Sequence, residues 1–108
     1  MSYTNGFTVD DLVDRKTDFV NKVVVLNGGL LSYEMGPGLF TWELALKLTG
    51  GKYTITTRCK ISRINSEHKL LLPHLDAYLG KIVGIKVYAD SFKIRTMKFG
   101  EREFNVLS

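Results

Sequence analysis

KVVVLNGGLLSYEM, residues 22–35, reads as a β-strand on both sides of a glycine pair. Gly28 and Gly29 offer no side chain to pack and lose the most chain entropy on ordering, so they mark a bulge, a sharp bend or a close backbone approach. A bend there is expected to place at least one of the two in a backbone conformation that a side chain resists. Whether one strand can serve two halves of a sheet turns on that bend.

The elements that follow keep a period of two. LFTWELALKLTG, residues 39–50, puts Phe40, Trp42, Leu44, Leu46 and Leu48 on one face and Thr41, Glu43, Ala45 and Lys47 on the other. KYTITTRCKISRI, residues 52–64, sends Tyr53, Ile55, Thr57, Cys59 and Ile61 inward and Thr54, Thr56, Arg58 and Lys60 outward. TGGK between them is a hairpin signal, and the Gly-Pro-Gly of YEMGPGLF turns the chain from the first strand into the second. Residues 22–64 are thus expected to form a three-stranded meander.

Helical spacing flanks it on both sides. In TVDDLVDRKTDFV, Thr8 followed by Asp11 makes a capping-box start, and Val9, Leu12, Val13, Phe19 and Val20 give an amphipathic helix over residues 8–20, a packing element without chemistry. In SEHKLLLPHLDAYLG, Leu71, Leu72, Leu75 and Leu79 recur at three or four residues, Pro73 suits a first turn and Gly80 a C-terminal cap, which predicts a short helix over residues 72–79. KIVGIKVYAD and SFKIRTMKF then form a hairpin over residues 81–99, and EREFNVLS is a last short strand or tail.

Strand, strand, strand, helix, strand, strand is the order of the OB-fold. The expected class is mainly β: a five-stranded OB-fold barrel with an added N-terminal helix and a short helix between its third and fourth strands. In such a barrel the first strand bends to pair in both halves. A meander within an α+β sandwich carries the same order.

Composition bounds the function. With 108 residues, 44% of them apolar, the chain fits one domain over residues 1–108 with its own core. One cysteine, Cys59, excludes an internal disulfide framework, and His68 and His74 stand outside any metal-ligand spacing, so neither metal nor cofactor is expected. Without a signal peptide or an apolar run of membrane length, the expected location is the cytoplasm, that of the host if the chain is phage-encoded. Residues 1–50 hold four Lys/Arg against six Asp/Glu, and residues 51–108 eleven against five. A basic second half fits a polyanionic partner.

NKVVVLNGGLL, residues 21–31, resembles the opening strand of the OB-fold single-stranded DNA-binding proteins of the bacterial and phage type. LDAYLGKIVGIKVYA, residues 75–89, is similar to their helix, basic or glycine turn and following strand. The resemblance covers residues 21–98. The family's acidic, partner-recruiting C-terminal tail has no counterpart in EREFNVLS, and the N-terminal helix is extra. The resemblance implies sequence-independent binding of single-stranded nucleic acid, with DNA favoured over RNA, in replication, recombination or repair, as a homodimer or other homo-oligomer.

Single-strand binding needs a positive groove and aromatic faces on which bases stack. On the surface this resemblance implies, the candidates are Tyr33, Phe40, Trp42, Lys47, Tyr53, Arg58, Lys60, Lys86, Tyr88, Lys93 and Arg95, with Phe92 beside them. Alternation sends Arg58, Lys60, Lys86, Lys93 and Arg95 outward. Tyr33 and Tyr88 lie beside loops and are the better stacking candidates, whereas Trp42 shares the parity of the core leucines. No nucleophile elbow, P-loop, dinucleotide fingerprint or HExxH occurs, so an enzyme is not expected. The alternative function is a small β-barrel adaptor or virion component that binds protein, pairing a partner strand along EREFNVLS.

Overall fold

The structure, a computed structural model, describes residues 6–64, 67–99 and 101–106. It is mainly β, with strands β1 (Phe7–Thr8), β2 (Val23–Pro37), β3 (Thr41–Thr49), β4 (Thr54–Ser62), β5 (Ile82–Tyr88), β6 (Lys93–Phe99) and β7 (Arg102–Asn105), and helices α1 (Val9–Asp14) and α2 (Glu67–Tyr78). Two short strands flank the five expected: β1, which was not expected, lies parallel to β2, and β7, the strand form of the EREFNVLS segment, lies antiparallel on β6. Leu107 and Ser108, the last two residues of EREFNVLS, lie outside the described residues.

β2 carries the topology. From Val23 to Gly29 it pairs with β5, and from Gly29 to Pro37 with β3, so the change of partner falls on the glycine pair. β3 and β4 form the expected hairpin, β5 and β6 the next, and β4 lies parallel to β6 at Arg58 and Lys93. The hydrogen-bonded path β2–β3–β4–β6–β5 therefore returns to β2. Leu26, Leu30, Leu44, Leu46, Leu48, Val83, Ile85, Val87, Ile94 and Met97 fill its inside, with Val9 and Leu12 from α1 and Leu71 and Leu75 from α2 packed among them.

The glycines do this differently from expectation. Neither Gly28 nor Gly29 has a positive φ. A Cβ on Gly28 would stand 2.9 Å from Val9 Cγ2 and 3.3 Å from Leu48 Cβ, whereas one on Gly29 would make ordinary contacts of 3.4 and 3.5 Å with Thr49. Gly28 is thus the close approach that seats α1. The strand irregularity falls at Leu31, left over where Leu30 pairs with Leu48 and Ser32 with Lys47.

Both helices depart from their expected bounds. The capping box at Thr8 and Asp11 is present, at 3.1 and 3.3 Å, but α1 stops at Asp14, and a 3-10 turn over Lys16–Phe19 replaces the rest of the predicted 8–20 helix. This change of helix type turns Phe19 into the core, edge-on to Phe7 with ring centroids 4.7 Å apart. Helix α2 begins at Glu67, not 72, because its inner stripe of His68, Leu71, Leu72, Leu75 and Tyr78 runs on both sides of Pro73. Pro73 lies on the exposed face, where the hydrogen bond it cannot donate leaves a carbonyl to solvent. Gly80, at φ +81, ends the helix and donates to the Leu30 carbonyl at 2.8 Å.

Candidate nucleic-acid interface

Outward positions of β2, β3 and β4 face solvent in register: Glu34 beside Ala45 beside Arg58, and Gly36 beside Glu43 beside Lys60. β6 adds Lys93 next to Arg58. These residues line an open cleft of about 440 Å³, floored by the small side of Gly36 and Ala45. Three cations and two carboxylates, Glu34 and Glu43, share it. Ion pairs join Arg15 to Asp18 and Lys52 to Asp14 near α1; among the described residues Arg58, Lys60 and Lys93 take part in none. Lys47 is exposed on the same face, between Ser32 and Thr56.

Two turns flank the cleft. Beyond Lys60, the β2–β3 turn exposes Leu39 (85%) and Phe40 (71%). Phe40 is therefore not on the inner face with Leu44, as the alternation suggested; the strand begins only at Thr41, and the Gly38 N–H closes the turn on the Thr41 carbonyl at 2.7 Å. Beside Lys93, the β5–β6 turn holds Phe92 at φ +55, which directs its carbonyl to the Arg58 N–H at 3.2 Å. That bond joins β4 to β6. The Phe92 ring packs against the core.

The other rings are placed less freely than their sequence positions suggested. Tyr33 packs against the core, and its hydroxyl donates to Asp76 of α2. Tyr53 also packs inward and donates to Asp14 of α1 at 2.9 Å, under the Lys52 ammonium 4.9 Å from its ring centre. Trp42 is half-buried, with the Arg63 guanidinium 4.8 Å from its ring centre and His68 at 5.3 Å. Its Nε1 and His68 Nδ1 are buried with no hydrogen-bond partner among the described residues. Among the described residues, only Phe40 and Tyr88 (38% exposed) present substantial aromatic surface.

Lys86 and Arg95 do not reach this cleft. They line a second one of about 480 Å³, against Val23, Val25, Glu103 and Asn105. Sequence reasoning missed Glu34 and Glu43 as cleft residues, although Glu43 sat on the outward parity of its strand. It also missed Ile64, 87% exposed beside Arg63, whose N–H donates to the Phe40 carbonyl at 3.4 Å.

The remaining reactive groups are committed to packing. Burial pushes the Cys59 thiol up to about 12, and His74 stacks on Phe99 with ring centroids 5.7 Å apart. Among the described residues no three metal-ligating side chains gather, and no helix is long and apolar enough to cross a membrane. No family model, curated protein or solved structure matches the chain.

Proposed function

We propose that this chain is an OB-fold barrel that binds single-stranded nucleic acid, DNA above all, without catalysis and with little sequence preference. The observation that carries the reading is the cleft on the outer face of β3 and β4, where Arg58, Lys60 and Lys93 take part in no ion pair among the described residues and lie between the β2–β3 turn, which exposes Phe40, and the end of β5, which exposes Tyr88. A flexible strand gains there from phosphate contacts along the cleft and base stacking at its ends. The closed path in which the first long strand pairs at both ends supports the barrel. Such a protein would act as an accessory in replication, recombination or repair, in the bacterial or phage setting that the sequence resemblance suggests.

A titration of Trp42 and tyrosine fluorescence with poly(dT), against duplex DNA as control, tests the reading. Saturable quenching by poly(dT) that weakens as salt rises supports it. Equal or tighter duplex binding overturns it.

One observation favours a second reading, a protein adaptor. Leu39, Phe40 and Ile64 are exposed, and Arg63 ties their two segments together, its N–H donating to the Phe40 carbonyl at 3.4 Å and its guanidinium to the Gly38 carbonyl at 3.0 Å, so apolar exposure falls on adjoining segments. On that reading the protein ignores poly(dT) altogether.

A further inference from the structure

The two clefts share β6. Lys93 lines the first and Arg95 the second, two residues apart on a strand whose outward positions are both exposed. Arg95 is the residue left over by a β-bulge, since Lys86 pairs with Thr96 and Val87 with Ile94. A bulge re-aims the side chain it carries, and here it delivers a guanidinium to solvent between buried Ile94 and Thr96. Among the described residues Arg95 meets no carboxylate partner.

Tyr88 stands on the seam. Its cross-strand neighbours are Lys93 of the first cleft on one side and Val23 of the second on the other. All three are exposed, so the register sets the phenol ring between a residue of one cleft and a residue of the other. From Lys60 through Arg58, Lys93 and Arg95, cations follow one another across β4 and β6, each on an adjacent strand or two residues along the same one.

We infer that a single strand held in the first cleft passes over the Tyr88 ring into the second cleft, where Arg95 holds its phosphates. The inference rests on the single-strand reading. It adds a second backbone-binding segment and a direction of travel around β6. A duplex, stiff over roughly 150 base pairs, cannot turn through so tight a path, whereas a single strand can. Glu103, which also lines the second cleft, repels phosphate and favours a backbone path on Arg95 over one on Glu103.

The test compares (dT)4 with (dT)16, about the short and long ends of what one such fold covers, by fluorescence titration across salt concentrations. The wild type is expected to bind (dT)16 severalfold more tightly than (dT)4, beyond the statistical gain of extra registers. Arg95→Ala and Arg95→Glu are both expected to shrink that ratio, the reversal more than the neutralisation, and Arg95→Ala to reduce the (dT)16 salt slope by about 0.7. Arg58→Ala, in contrast, weakens both lengths together. If the protein binds both oligonucleotides but neither Arg95 variant changes the ratio, the second segment does not exist and the single-strand reading stands. If the wild type binds neither oligonucleotide, the single-strand reading itself fails, and this inference with it.

Discussion

Val9 of α1 stands over Gly28 of β2 so closely that a Cβ there would lie 2.9 Å from Val9 Cγ2. The contact is steric, not conformational, because Gly28 has no positive φ to defend. Gly28→Val should therefore cost about 1–3 kcal/mol, the range for overfilling a packed interior. Gly29→Val should be near neutral, since its Cβ meets only Thr49 at ordinary contact distance and a β-branched residue suits a strand. Denaturant titration of the two variants separates these outcomes. Equal destabilisation of both would mean that strand bending, and not the seat of α1, explains the glycine pair.

Asp10 ties the same helix to the β3–β4 hairpin. Its carboxylate accepts from the Lys52 N–H at 3.1 Å and the Tyr53 N–H at 2.9 Å, so one side chain satisfies two turn amides. Asp10→Ala leaves both amides without that acceptor and should destabilise the fold by about 1–3 kcal/mol. Hydrogen exchange should show the loss first as faster exchange at Lys52 and Tyr53. Unchanged exchange there would mean that the hairpin holds without α1.

Tyr33 predicts a pH dependence. Its hydroxyl donates to Asp76, and that hydrogen bond raises the phenol above its ordinary value of 10.0, with burial and the Asp76 charge acting in the same direction. The folded state thus holds the proton more tightly than the unfolded chain. The contribution of this bond to stability is complete below pH about 10 and is lost as pH rises through the higher folded value. Phenolate absorbance should show one tyrosine titrating late, and Asp76→Asn should return it towards 10.0. A late tyrosine that survives Asp76→Asn would assign the shift to burial alone.

What the sequence made legible was what depends on near neighbours. Alternation placed Leu44, Leu46, Leu48, Ile55, Cys59 and Ile61 inside and Arg58 and Lys60 outside, as found. The capping box at Thr8 was readable because its two partners are three residues apart. Alternation also misled, since parity says nothing about where a strand starts, and Phe40 lies one residue before β3. Pro73 read as a helix start because the rule is local, whereas the apolar stripe that extends α2 past it depends on the core it meets. The tyrosines were beyond reach for a plainer reason: Tyr33 is 43 residues from Asp76, and Tyr53 is 39 from Asp14. Nor does a phenylalanine announce positive φ, so the turn at Phe92 that joins β4 to β6 left no sequence signal.

The cleft's mixed charge gives the sharpest test of its role. Arg58 and Lys60 are exposed and, among the described residues, outside any ion pair. Removing them costs the fold little, because neither holds a buried partner. On the single-strand reading each neutralises a phosphate, so Arg58→Ala with Lys60→Ala should weaken binding for every sequence alike. With a slope of about 0.7 per phosphate on single strands, the double variant should flatten the plot of log affinity against log salt by about 1.4. Glu43, beside Lys60 on the neighbouring strand, works in the opposite direction. Its charge repels the same phosphates, so Glu43→Gln should tighten binding, with the greatest gain at low salt, where screening is least. Opposite shifts from two cross-strand neighbours would locate the strand over this cleft. If Glu43→Gln and the double cation variant both leave affinity and salt slope unchanged, the nucleic acid does not lie on β3 and β4.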